Sequence, residues 1–452
     1  MRDYIVLTII LGCVPGALLN PFFGVLVWTW VAYFNPHRFT WGIAYNFPVA
    51  MVLAVPTIVG TLFAKKINRN VLTRETVLLF VLWIWFGITL FHATLVPLLS
   101  MHVIDGRAQL EIITKILLMT GFTILLTNSP QRFRLLLLVT AFSFGALALK
   151  GFIFGIRNSG DFRVWGPPDS FVADNNDFGL ALNIVLPLMF FMAGSESNRK
   201  IRLLLRICFF ASALVVLLTY SRGALLGIGT AMAVIVIKTR HRLLGGVALV
   251  LAALVIFSFA PQKWQQRMDN LFAGKLDDSA HQRLVSWKFA WNVAEAYPLT
   301  GGGMQCFTPE MFARFSKEEL PGGSLSAGPH SIYFQILGEQ GFVGLGLFLS
   351  LIASCVLSLR KLRRLVRNAQ PMEWIVPYAN GLETGLYAFL VSGAFLGRAY
   401  FDLFYQLVAC TIILKVLYRR EVLHLLTEPM SESSVNTVET EEMPMYSRRV
   451  SV

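Results

Sequence analysis

The chain has 452 residues, 55% hydrophobic and 14% charged, with a mean hydropathy of +0.61. A soluble domain of this length could not carry so much apolar surface, so composition excludes one and predicts a polytopic membrane protein. The net charge of +13 does not mark a nucleic-acid binder, because 21 of the 39 Lys and Arg residues fall in the short loops 65–74, 132–134, 199–206, 238–242, 360–367 and 415–420, the distribution expected of cytoplasmic loops.

Residues 4–34 are apolar but interrupted by Pro15-Gly16 and Pro21, which allows either one broken crossing or two short helices. No small-residue cleavage site follows this run, so it reads as a retained membrane segment. Judged against the roughly 20 apolar residues that a span needs, further crossings are predicted near 48–64, 77–97, 110–127, 133–155, 178–194, 203–220, 223–238, 243–260, 332–358, 376–396 and 403–418. With 4–34 counted once, this all-α protein has about twelve transmembrane helices and both termini in the cytoplasm. The predicted divisions are 1–260 for the first set of helices, 261–331 for one large periplasmic loop, 332–420 for the last helices and 421–452 for a cytoplasmic tail. From Thr427 that tail is rich in Ser, Thr, Glu and Val without periodicity, and disorder is expected.

Two segments on the non-cytoplasmic side break the apolar pattern. Residues 156–177 carry Arg163 and the cluster Asp174, Asn175, Asn176 and Asp177. Residues 261–329 hold seven basic and seven acidic residues, so the stretch is neutral and no nucleic-acid surface. Within it Ser279 and Gln282 fit a capping box. Leu284, Trp287, Trp291 and Ala294 then follow at helical spacing, which predicts an amphipathic helix ended by Pro298, with its tryptophans at headgroup depth and Arg283 near lipid phosphates. The cysteines Cys13, Cys208, Cys306, Cys355 and Cys410 are scattered, with no CxxC and no zinc-like spacing, so neither a metal site nor a disulfide framework is expected.

The polar segment turns into a long apolar helix at Gly328-Pro329-His330-Ser331. Proline suits the first helical position, which would put His330 in the first turn beside N–H groups that disfavour an imidazolium. A histidine kept neutral in this way can act as a general base. The bland alternative is a helix that happens to begin with histidine at a membrane surface. Gly338, Gly341 and Gly344 recur every third residue and predict a smooth face for a neighbouring helix or lipid.

Arginine is costly at membrane depth. Arg222, in the outer turn Thr219-Tyr220-Ser221-Arg222-Gly223, is therefore a functional candidate, weighed against a structural pair with a carbonyl or acid. Lys150, inside an apolar run, reads equally as a snorkelling lysine. Arg398 and Asp402, spaced i, i+4, read as a structural pair. A neutral histidine near arginine forks suits transfer of a group from a lipid pyrophosphate: the forks hold the phosphates and the imidazole takes a proton from an acceptor hydroxyl.

His330-Ser331, nine residues, then Gly341-Phe-Val-Gly344 matches the signature H[NSQ]x9Gxx[GTY], and the chain resembles the O-antigen ligase superfamily. TYSRGALLG (219–227) and RLVSWKFAWNVAEAYPLTGGG (283–303) are similar to that superfamily's Ser-Arg-Gly turn and its Arg, Trp, Pro, Gly-x-Gly stretch. The segments NPHRFTWGIAYNFP (35–48) and GPPDSFVADNND (166–177) look more like the exosortase-A-associated O-glycosylation ligases. The resemblance implies a metal-independent, GT-C-like glycosyltransferase without a cofactor. Such an enzyme moves a glycan from undecaprenyl pyrophosphate to a hydroxyl of a protein Ser/Thr, or of lipid A core, at the periplasmic face of the inner membrane. It also implies His330 as the acceptor base, Arg222 and Arg283 as pyrophosphate ligands, and Arg163 as a further one. A glycan polymerase of the same superfamily would share the donor site. A transporter would need charged or broken helices at the midplane in paired repeats, and an inert scaffold would leave Arg222 unexplained.

Overall fold

The computed structural model describes residues 1–240, 242–259, 278–367 and 372–427. Its helices are α1 (Arg2–Leu19), α2 (Pro21–Phe34), α3 (Val49–Leu62), α4 (Arg74–Leu95), the single turn α5 (Pro97–Ser100), α6 (Val103–Leu126), α7 (Pro130–Arg157), α8 (Asn175–Ser195), α9 (Arg199–Leu218), α10 (Arg222–Lys238) and α11 (Arg242–Phe259). After them come α12 (Asp278–Ala296), α13 (Pro309–Phe315), α14 (Ile332–Val366), α15 (Ile375–Gly393) and α16 (Asp402–Thr427). Among the described residues, seven helices (α1, α4, α6, α7, α8, α9 and α14) are long and apolar enough to cross a membrane. The chain is thus a polytopic helical membrane protein. The expected disorder beyond Thr427, and residues 261–277 of the large loop, lie outside the described residues.

Polar residues start the helices where the apolar runs begin. Thr73 accepts a hydrogen bond from the Thr76 N–H, Ser129 from Arg132, Asp174 from Asn176, and Ser221 from Ala224, each satisfying an N–H that the helix leaves without a carbonyl. At the centre α8 packs against α15 and α10, and 16 of its 21 residues are buried. Small residues permit the close approach: a Cβ on Gly385 would lie 2.7 Å from the Ile184 carbonyl, and one on Gly227 would collide with Ser392. Asn183, in the middle of α8, donates to the Ala224 carbonyl at 2.7 Å and ties α8 to α10.

The basic loops meet at one end of the bundle. Glu383 on α15 gathers Lys238 at 2.7 Å, Arg360 at 2.8 Å and Arg363 at 2.5 Å. Glu75 at the start of α4 takes Lys415 at 2.5 Å, and Arg134 pairs with Glu196 at 2.8 Å. The opposite end collects the connections 158–174, 219–221, 297–331 and 394–401.

Residues 4–34 form two antiparallel helices joined at Asn20-Pro21, because Pro21 has no N–H to continue α1 and begins α2. The Asp3 carboxylate accepts from the backbone of Gly42 and Ala44, and Tyr45 donates to Asp169 at 2.6 Å. The chain therefore starts at the end that holds residues 158–174, and of the two readings of 4–34 the two-helix one is found. Lys150 is exposed, and its ammonium sits 3.8 Å from the Phe39 ring centroid, a cation–π contact.

Candidate active site

The turn between α9 and α10 is built from its own sequence. Tyr220 adopts a left-handed conformation (φ 56°), Ser221 caps α10, and Arg222 is the first helical residue, half-buried. The loop before α8 is fastened to this turn: Tyr220 Oη donates to the Gly160 carbonyl, and Val164 N–H donates to Leu218 at 3.0 Å. Asn175, the first residue of α8, donates to the Thr219 carbonyl at 2.7 Å. Arg163 lies exposed beside the end of α9, and Arg222 follows the same turn as a half-buried residue.

The His330 segment differs from its expected form. The helix begins at Ile332, not Pro329, and Ser331 is its N-cap with extended backbone (φ −164°, ψ 133°). His330 precedes the helix in the left-handed region at φ 45°, a conformation that costs a non-glycine residue energy and is held only by its surroundings. Those surroundings are visible. Ser286 Oγ on α12 donates to the Gly328 carbonyl at 2.6 Å, and a Cβ on Gly397 would lie 2.5 Å from the Pro329 ring. Gln335 on α14 accepts from the Ala399 N–H at 3.0 Å, drawing the 394–401 turn onto the same segment.

The imidazole of His330 is held below its ordinary pKa, first by burial and then by the Arg283 charge, with Asp174 partly opposing. The sequence attributed neutrality to helix N–H groups. Burial and a neighbouring guanidinium produce it instead. Arg283 itself sits half-buried in the second turn of α12. One turn on, Trp287 stacks on Phe334 at 5.2 Å between ring centroids and abuts Phe395 at 6.4 Å. Phe395 in turn packs against Gly223, the neighbour of Arg222, where an added Cβ would lie 3.2 Å away. His330, Arg283 and the Arg222 turn therefore surround one region, and Trp287, expected at headgroup depth, is part of its wall. The capping box is also corrected: α12 already includes Asp278, so Ser279 lies inside the helix.

Arg398 does not pair with Asp402. Its guanidinium meets the Asp177 carboxylate in the first turn of α8, while Asp402 Oδ1 accepts from the Leu403 N–H at 2.7 Å. Asp177, a second carboxylate beside Asp174, and Arg398, a third guanidinium after Arg222 and Arg283, thus flank the site. The signal for Asp177 was present in the 174–177 cluster, but nothing local points from it to residue 398.

The glycines of the signature are structural. Gly341 stands at φ 68°, ψ −171°, and breaks α14, a conformation open essentially to glycine alone. The break exposes backbone groups, and the loop 298–303 satisfies them. Gly302 N–H donates to Gly338 at 2.8 Å, Gly303 to Glu339 at 3.0 Å, and Phe342 to Pro298 at 2.9 Å. Gly338, Gly341 and Gly344 are therefore not one smooth face: Gly338 packs on Ala290 and Phe307, and Gly344 lies beside Trp85. Under the clasp a buried polar chain runs from Tyr400 to Glu339 at 2.5 Å, from Gln340 to Tyr400 at 3.1 Å, and from Thr89 to Gln340 at 2.5 Å.

Residues 207–349 match the family O-antigen ligase, a span that includes Arg222, Arg283, His330, Gly341 and Gly344. Residues 1–193, with Arg163 and Asp177, match a family of unknown function. No curated protein matches the chain.

Proposed function

We propose that this chain, which belongs to the O-antigen ligase superfamily, transfers a glycan from undecaprenyl pyrophosphate to an acceptor hydroxyl at the periplasmic face of the inner membrane. The observation that carries the reading is the placing of His330, Arg283 and the Arg222 turn around one region at the end of the bundle remote from the basic loops. The positive-inside rule makes those loops cytoplasmic, so the site faces the compartment where no nucleotide is available. The acceptor oxygen attacks the anomeric carbon and gives its proton to neutral His330, and the bond from that carbon to the pyrophosphate oxygen breaks. Arg222 and Arg283 hold the departing pyrophosphate, where planar forks match its oxygens. Arg163, exposed at the rim, contributes to drawing the anion in. Protein Ser/Thr is the preferred acceptor, as in the exosortase-associated ligases, with lipid A core the other. No metal is required on this reading.

A glycan polymerase would use the same donor site and differ in its acceptor. Reconstitution of the purified chain in vesicles with an undecaprenyl-pyrophosphate glycan and separate acceptors tests both. Label moving to a protein or core hydroxyl supports the ligase, elongation of the lipid-linked glycan supports the polymerase, and turnover with neither sinks the proposal.

A further inference from the structure

At the end of the bundle away from His330, the 65–72 loop, the start of α7 and the last turns of α16 enclose a cavity of about 1000 Å³. Lys65, Lys66, Arg69, Arg419 and Arg420 line it, and its described lining contains no Asp or Glu. Five other cations at this end meet carboxylates: Lys238, Arg360 and Arg363 at Glu383, Lys415 at Glu75, Arg134 at Glu196. Five like charges around one cavity repel each other, and rigid walls hold them in place. The Asn68 side chain donates to the carbonyls of Ile124 at 2.8 Å and Thr127 at 2.9 Å, closing the end of α6. Asn128 donates to the Lys66 carbonyl at 2.8 Å, and Arg420 to the Asn128 carbonyl at 2.9 Å, so the loop, the start of α7 and α16 are tied together.

The lining is also amphipathic. Leu72, 75% exposed, and Leu423, 57% exposed, stand beside the cations. A soluble anion has no use for exposed leucine at a basic site, whereas a phospholipid presents phosphate and acyl chain together. The volume is that of a small-molecule site rather than a single phosphate, and basic pockets between transmembrane helices suit anionic headgroups. We infer that this cavity binds the phosphate headgroup of an anionic phospholipid from the leaflet at the basic end of the bundle. The site is separate from the glycan-transfer region and does not depend on that reading.

The test uses the purified full chain in a neutral detergent, with cardiolipin, phosphatidylcholine or inorganic pyrophosphate added at equal concentration. Thermal unfolding and native mass spectrometry are followed in parallel. Cardiolipin is expected to raise the melting temperature by several degrees and to appear as a retained adduct, and both effects should weaken at about 1 M salt, where screening is nearly complete. The Lys65→Gln/Lys66→Gln/Arg69→Gln chain, altered at three exposed positions, should bind about 100-fold more weakly, taking about 1 kcal/mol for each charge. If the triple variant melts lower without lipid, Lys66→Gln and Arg69→Gln alone should each lose about fivefold by the adduct measurement. Equal stabilisation by phosphatidylcholine, equal stabilisation by pyrophosphate, or undiminished cardiolipin binding in the variants would each overturn the inference.

Discussion

The guanidinium of Arg398 pairs with the carboxylate of Asp177, 221 positions earlier in the chain, and joins the first turn of α8 to the turn that rests on Pro329. Asp177 is almost wholly buried and Arg398 is about two-thirds buried, so removing one partner strands a charge away from water. Asp177→Asn is expected to lower stability by about 3 kcal/mol, and Arg398→Gln by a comparable amount. The double variant should recover part of the loss, since neither charge then remains. Thermal unfolding in detergent reads all three. Additive losses in the double variant would mean that the pair does not couple the two elements.

Arg222→Lys and Arg283→Lys keep the charge and lose the planar fork. Both should raise the donor concentration needed for half-maximal transfer by on the order of tenfold or more, the worth of about one charge-assisted hydrogen bond. Arg163→Lys, at an exposed position, should change it by less than threefold. Donor titration in vesicles makes the comparison, and wild-type values for both inner arginines would remove them from the pyrophosphate site.

The elements were largely legible because an apolar run of some twenty residues leaves the backbone in lipid few options besides a helix. Arg222, Arg283 and His330 were legible because charge near membrane depth and a histidine at a helix boundary are locally unusual. What could not be read is what depends on distant partners. The pairing of Arg398 with Asp177 competes with a nearer carboxylate, Asp402, which sequence spacing favours. The break at Gly341 is stable only because Gly302 and Gly303 supply the missing backbone partners, and the helical repeat of glycines concealed it. The antiparallel turn at Asn20-Pro21 had two allowed readings until contacts to Gly42 and Asp169 were in view.

That clasp makes a sharp distinction between two glycines five residues apart. Gly341→Ala must place a Cβ 2.3 Å from the Leu299 carbonyl in a backbone conformation with φ 68°, so strain and overlap together should cost about 2–6 kcal/mol. Gly346→Ala meets nothing within 4 Å and, as a helix-interior replacement, should be neutral or stabilising by up to about 1 kcal/mol. Melting temperatures of the two variants decide the matter, and a Gly341→Ala chain as stable as Gly346→Ala would mean that the break is not enforced.

Orientation has its own check. Arg240 lies at the basic end, and Leu299, 65% exposed, lies in the loop that clasps α14. With Cys13 replaced by Ser, Leu299→Cys should react with an impermeant thiol reagent in spheroplasts, while Arg240→Cys should react only after lysis. The reverse pattern would put the site in the cytoplasm and end the periplasmic transfer mechanism.

His330 separates a catalytic from a structural role most directly. His330→Asn keeps a side chain that tolerates the left-handed backbone, so the variant should fold with little loss of stability while transfer falls about 10²–10⁴-fold, the usual worth of a general base. In the wild type the rate should rise with pH as the imidazole loses its proton, with an inflection below the free value of about 6.5 because burial and Arg283 disfavour the charged form. The same shift fixes the sign of the stability effect: the unfolded chain holds the proton more tightly, so stability is complete above about pH 6.5 and declines as pH falls toward the folded-state pKa. Arg283→Gln removes one cause of the shift and should move the rate inflection upward, whatever it does to the maximum rate. A pH–rate profile that is flat from pH 5 to 8, or one that Arg283→Gln leaves in place, would detach the proton transfer from His330 and leave the arginines as the only chemical groups assigned to the site.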